Sequence, residues 1–189
     1  MTRNKTSALA VALLLFFTAN SFVVNSQAQS NRTPRAAVQQ FFALLKAQQY
    51  DRLYEMLPSQ SQQQVPRAQF AASLKRLDEF LTIEKMQTGR TQEHGEFAVV
   101  DTTMYGKLKK PLQINGQQIT AGRATAQQYL RKENGQWKIV TADERTRALF
   151  LKQNPDFAQQ FELTRAQFAF QQNGQWQSLT PPRNTPPRP

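Results

Sequence analysis

Apolar residues between positions 34 and 81 recur with a period near 3.6. Val38, Phe41, Phe42 and Leu45 stand at offsets 0, 3, 4 and 7, one face of a helix over two turns. Thr33-Pro34 just ahead supplies a capping hydroxyl and a proline at the first helical position. Tyr50, Leu53, Tyr54 and Leu57 repeat the same offsets, and Pro58 with the Gln- and Ser-rich stretch 59–64 reads as a break. Val65-Pro66 then opens a third helix with Phe70, Leu74, Leu77 and Leu81 along one side. Beyond Leu81 the period falls to two. Strands are predicted over 82–91, 96–107, 112–114, 117–131 and 136–141, turning at Glu93-His94-Gly95, Asn115-Gly116 and Asn134-Gly135. Strand 96–107 places Phe97, Val99, Asp101, Thr103 and Tyr105 on one face and Ala98, Val100, Thr102 and Met104 on the other. Both faces are partly apolar, as in a sheet covered by helices on one side and touched by something else on the other.

Asp143 is placed to cap a fourth helix reaching Gln153, and Asn154-Pro155 restarts a short one with Phe157 and Phe161 four residues apart. A last hairpin alternates Ala166, Phe168 and Phe170, turns at Asn173-Gly174 and returns over 175–179. Segment 168–179 echoes 129–140, since both read aromatic strand, Asn-Gly-Gln-Trp, strand. Residues 180–189 hold five prolines and two arginines and read as an extended, disordered Pro/Arg-rich arm outside the core.

The other end of the chain changes the picture from fold to destination. Arg3 and Lys5 precede the apolar run 8–17, and Ser26-Gln27-Ala28 resembles a cleavage site, so 1–28 reads as a signal peptide. Adding Phe22-Val23-Val24 brings the apolar stretch to about 17 residues, the lower limit for a membrane span, and an uncleaved anchor is the competing reading. The small-x-small tripeptide and the polar flank behind it favour cleavage. The expected location is exported, periplasmic or secreted, in a bacterium: an exported chain without cysteine suits a periplasm better than a small eukaryotic secreted domain.

Of 189 residues, 24 are Lys or Arg, 13 are Asp or Glu, one is His and none is Cys, for a net charge of +11. The absence of Cys removes disulfides, thiolate nucleophiles and Cys-based metal sites, and a single His removes most remaining metal and relay chemistry. No cofactor or metal is expected, and no Ser/His/Asp set or phosphate-binding glycine loop is present.

The three N-terminal helices with a Phe-Phe-x-x-Leu face, Gln-Gln-Tyr-Asp-x-Leu-Tyr at 48–54, Pro-Arg-x-x-Phe at 66–70, and a meander ending Asn-Gly-Gln-Trp-Lys-Ile together resemble the nuclear transport factor 2-like superfamily. The nearest likeness is to its secreted bacterial members of unknown function and to the small N-terminal domain of some penicillin-binding proteins. The resemblance implies an α+β fold of cystatin-like type. N-terminal helices would pack on a curved, cone-shaped antiparallel sheet over 33–142; residues 143–179 lie outside the resemblance and read as a C-terminal helix plus hairpin extension, either added to the sheet or forming an appendage. The motifs concern packing and turns, and the superfamily holds isomerases, dehydratases and non-enzymatic modules, so membership selects no activity.

Two sets of residues remain as candidate sites. An isomerase- or hydratase-like small-molecule pocket needs an acid or base and an oxyanion donor, for which the chain offers Asp101 with Tyr50, Tyr54, Tyr105 and Tyr129. The charge offers a basic band across one end of the sheet from Lys107, Lys109, Lys110, Arg123, Arg131, Lys132 and Lys138, extended by Arg145, Arg147 and Lys152. No aromatic signature interleaves with these cations, which disfavours nucleic acid. The primary expectation is a non-enzymatic exported binding or accessory module engaging an anionic envelope polymer, lipid surface or protein. The alternatives are the small-molecule pocket and a homodimer formed through the sheet.

Overall fold

The computed structural model describes residues 31–114, 117–172 and 174–179. The segments read as signal peptide and Pro/Arg arm, and the Asn115-Gly116 turn, lie outside the described residues. Four helices come first: α1 (Pro34–Lys46), α2 (Tyr50–Glu55), α3 (Ser59–Gln64) and α4 (Arg67–Phe80). The strands β1 (Leu81–His94), β2 (Phe97–Ile114), β3 (Gln117–Glu133) and β4 (Gln136–Val140) follow. Two helices, α5 (Glu144–Gln153) and α6 (Pro155–Gln160), then lead to the hairpin β5 (Gln167–Gln172) and β6 (Gln175–Leu179). The class is α+β, helices on an antiparallel sheet, as expected.

Thr33 caps α1 by accepting from the Ala36 amide at 3.2 Å, with Pro34 at the first helical position. The deepest residues of α1 are Ala37, Val38 and Leu44, while Phe41, Phe42 and Leu45 are only half-buried. The expected face is therefore turned by about one position, because α1 packs against both β1 and β4. Segment 59–64, read as a break, is a helix. No apolar stripe announces it. Its first turn is held by Glu133, whose carboxylate accepts from the Ser59 amide at 3.0 Å and the Ser59 hydroxyl at 2.6 Å. Gln62 donates back to the Tyr54 and Leu57 carbonyls.

The sheet order is β1-β2-β3-β5-β6, with β4 also on β3. The expected separate strand 112–114 is the end of β2, which continues through Pro111 with a register irregularity between Lys107 and Leu112. Proline lacks an amide for the ladder, so the pairing slips there instead of stopping. The last hairpin is part of the same sheet: Phe168 and Phe170 pair with Ala124 and Gly122.

Strand β3 is long enough to share one edge between two partners, β4 at Tyr129–Glu133 and β5 at Gly122–Thr125. Buried Gln127 fills the gap between them. Its side chain donates to the Glu162 carbonyl at 3.1 Å and accepts from the Thr164 amide at 2.8 Å, fixing the crossing chain, while its own carbonyl accepts from Arg147.

The two faces of the sheet carry separate cores. Ala98, Val100, Leu130, Trp137 and Ile139 pack under α1, α2 and α4 with Leu53 and Leu57. On the opposite face Val99, Tyr129 and Val140 pack against Phe150, Phe157 and Phe161 of the α5–α6 layer. The two-sided apolar character of residues 97–100 is thus met within the chain.

Asp143 caps α5, accepting from the Thr146 amide at 2.8 Å and the Thr141 hydroxyl at 2.6 Å. Burial alone would raise this carboxyl, but these hydrogen bonds outweigh it and hold the group below its ordinary value of 3.8. A depressed carboxyl stabilises the fold above its unfolded value and stops doing so as pH falls through its lower folded value. Asp143→Ala is expected to cost about 1 kcal/mol at neutral pH. In urea melts the gap to the parent protein should close below the folded value. A gap independent of pH would remove the carboxylate from the account.

Candidate functional site

Among the described residues, the large hydrophobic side chains left exposed are Leu77, Phe80, Leu112 and Phe168, between 37% (Leu77) and 50% (Phe168) open. All four line two cavities at one end of the molecule, where α4 runs into β1. Burial along α4 falls from Phe70 at its start to Leu77 and Phe80 at its end, which are left exposed.

The first cavity, about 260 Å³, is floored by β2, β3 and β5. Its walls include Phe80, Leu108, Leu112, Ile119, Phe168 and Phe170. These come together because the registers Met104↔Ala124↔Phe168 and Gly106↔Gly122↔Phe170 put their side chains on the helix-facing surface beyond the reach of the helices. Gly106 and Gly122 leave the floor low; a Cβ at Gly106 would approach the Leu81 side chain to 3.0 Å.

The second cavity, about 280 Å³, lies between α1, α4 and the start of β1 and shares Leu81 with the first. Here polar groups converge. Asp78 accepts from Gln48 Nε2 at 2.7 Å and from Lys109 Nζ at 3.3 Å. Lys46 Nζ donates to the Glu84 carbonyl at 3.3 Å. The Tyr50 phenol is pushed above its ordinary value, first by burial and then by the Asp78 carboxylate, so it remains a neutral hydroxyl. Apolar walls with a few convergent polar groups are the usual composition of a ligand site.

The residues proposed as an acid–base pocket do not meet. Tyr50 lines the second cavity. Tyr54 is core, its hydroxyl lying 2.7 Å from the Gln62 carbonyl and 2.9 Å from that of Val65, its ring against Phe70 and under Arg67. Asp101 is on the opposite face of the sheet, 3.8 Å from Arg90. Tyr105 stacks edge-on with Trp176, and Tyr129 is buried under Phe150 and Phe157. Strand parity separates Asp101 from Tyr50 and Tyr54, and no acid–base pair is assembled there.

The basic band also divides. Arg123 pairs with Tyr105 in the sheet, near Lys107, Lys109 and Lys110, whereas Arg131 and Lys138 pair beside Phe97. About ten residues of strand, roughly 30 Å, separate the two groups. Several charges are already engaged. Lys107 binds Glu84 at 2.7 Å, Lys138 donates to the Glu55 carbonyl, Lys132 lies over Trp137 near Glu93, and Arg123 lies over Trp176. Arg147, expected to extend the band, turns inward over Tyr129, and burial lowers the basicity of its guanidinium. His94 packs edge-on against Phe161, and no group of three His, Asp or Glu residues suited to a metal occurs among the described residues.

The fold and this end together define the class: an α+β domain whose helices cover most of an antiparallel sheet and leave one apolar, lysine-bordered end open. No protein-family model matches the chain, and no curated protein matches it. Solved structures similar to this chain at low identity include the following three. A SEC-C motif containing protein from Rhodopseudomonas palustris shows 13% identity and a TM-score of 0.46 over 60% of this chain and 80% of that one. An NTF2-like protein with a cystatin-like fold from Novosphingobium aromaticivorans shows 11% identity and a TM-score of 0.40 over 65% and 90%. A protein of unknown function from Mycobacterium tuberculosis shows 12% identity and a TM-score of 0.37 over 68% and 92%.

Proposed function

We propose that the chain is a non-enzymatic binding module of the cell envelope, nearest to the secreted bacterial members of the nuclear transport factor 2-like superfamily, and that its working surface is the open end. The observation that carries this reading is the convergence of Leu77, Phe80, Leu112 and Phe168, the exposed large hydrophobics of the described residues, on one end. Apolar side chains scattered singly over a surface are ordinary, but a contiguous patch marks a place where something binds. Lys107, Lys109 and Lys110 border the same end and keep the expected preference for an anionic partner. The small-molecule enzyme reading has less support, because Asp101 and its tyrosines are dispersed and the Asp78 carboxylate is taken up by Gln48 and Lys109.

Titration of the full chain with a fluorescent apolar probe tests the proposal. Phe168→Asp is expected to weaken probe binding about tenfold or more, the equivalent of losing one buried aromatic contact, with an unchanged melting temperature. Asp101→Asn is expected to leave it unchanged. Equal binding by the parent and Phe168→Asp would place the function elsewhere.

A further inference from the structure

Resting on the reading of the open end as a binding surface, we infer its ligand class: a single-chain amphiphile with an anionic head, of fatty-acid type, its chain in the apolar cavity and its carboxylate at Lys46 and Lys109. Taken singly, the two cavities of about 260 and 280 Å³ fall short of the roughly 300 Å³ at which ligand pockets begin. They share the Leu81 side chain as a common wall, and a ligand lying across it has the use of both. The chemistry changes at that residue. On the β3–β5 side the walls are mainly Leu, Ile, Phe and Met, with Arg123 the one charged residue and its guanidinium held over Trp176; on the α1 side they bring Lys46, Gln48, Tyr50, Asp78 and Lys109. A wholly apolar ligand would strip water from the charged Lys46, Asp78 and Lys109 in the second cavity, and a wholly polar one would leave the first unfilled.

The sign of the head follows from what each cation already holds. Lys46 donates to a neutral acceptor, the Glu84 carbonyl, and has no carboxylate partner among the described residues. Lys109 is paired with Asp78, but both side chains are well exposed, and such pairs contribute little and exchange readily. Asp78 keeps Gln48 at 2.7 Å when Lys109 turns away, so no buried charge is stranded. Two ammonium groups can therefore move to a carboxylate, with the Tyr50 hydroxyl available as a neutral donor. A cationic head would meet both ammoniums and be repelled.

Calorimetric titration of the full chain with dodecanoate, dodecyl maltoside and dodecyltrimethylammonium, each kept below micelle formation, separates the outcomes. Dodecanoate is expected to bind one to one and at least about tenfold more tightly than the other two. Lys46→Gln and Lys109→Gln should each weaken dodecanoate about tenfold and leave the neutral analogue unchanged, whereas Asp78→Asn should tighten dodecanoate. Melting curves confirm that each variant folds. Equal binding of the three heads would overturn the carboxylate assignment and leave the open end standing as a binding surface. Binding of anionic vesicles without binding of monomeric dodecanoate would replace the cavity ligand by a membrane surface and overturn the inference. Failure of every amphiphile, with Phe168→Asp converting a sedimenting dimer to monomer, would assign the patch to a second copy. Failure of every amphiphile with no self-association would overturn both the ligand class and the binding reading.

Discussion

Phe157→Ala is expected to lower the unfolding free energy by about 3–5 kcal/mol, the range for truncating a fully buried aromatic ring. Phe157 sits at the centre of the outer core with no exposure, its ring within 5.0 Å of Tyr129 and Phe150, 4.8 Å of Phe161 and 5.5 Å of Phe97. Helix α6 has only one turn or so and no side-chain cap, so this ring is its principal attachment to the sheet. The loss should be uneven across the molecule. Amides of α5, α6 and the chain fixed by Gln127 should exchange through local opening, while those of β1 and β2 continue to follow global unfolding. Urea denaturation gives the total and amide exchange gives its distribution. A loss below about 1 kcal/mol, or a uniform rise in exchange, would mean that the α5–α6 layer is not a distinct packing unit.

What the sequence made legible was local. The helical offsets of Val38–Leu45 and Tyr50–Leu57, the Asn134-Gly135 turn and the Asp143 cap each announce an element through residues next to one another, and each element formed. Helix α3 stayed hidden because Ser59–Gln64 has no apolar stripe; its anchor, Glu133, is 74 residues away. The continuity of 96–107 with 112–114 stayed hidden because the neighbouring ladder able to absorb a slip near Pro111 is a tertiary fact. The same limit dispersed the Asp101 pocket, where alternation along β2 shows that Asp101 and Val100 face apart but not which face the helices will cover. The open end was present in the sequence as Leu77, Phe80, Leu112 and Phe168, marked apolar like any core residue. Periodicity identifies residues that seek a partner; only the assembled fold shows which ones lack it.

Trp137→Ala is expected to cost about 3–5 kcal/mol, and Trp176→Ala about 1 kcal/mol, although the two tryptophans follow the same Asn-Gly-Gln sequence. The hairpins have matching registers: Trp137 pairs with Lys132 and Trp176 with Gln171. They meet β3 differently. Lys132 continues the parity of Leu130, which faces the helices, and carries Trp137 into the core beside Val100 and Leu53, fully buried. Gln171 continues the parity of Ala169, which pairs with Arg123, and carries Trp176 to the outer face, where it is half-buried against Tyr105 and beneath the Arg123 guanidinium. Truncating Trp137 opens a cavity beneath the helical layer, whereas the site of Trp176 can refill with solvent and neighbouring side chains. Paired urea melts of the two variants decide the matter. Equal losses would show that the Asn-Gly-Gln-Trp turn itself carries the stability; the expected inequality places it in the face of the sheet each indole reaches.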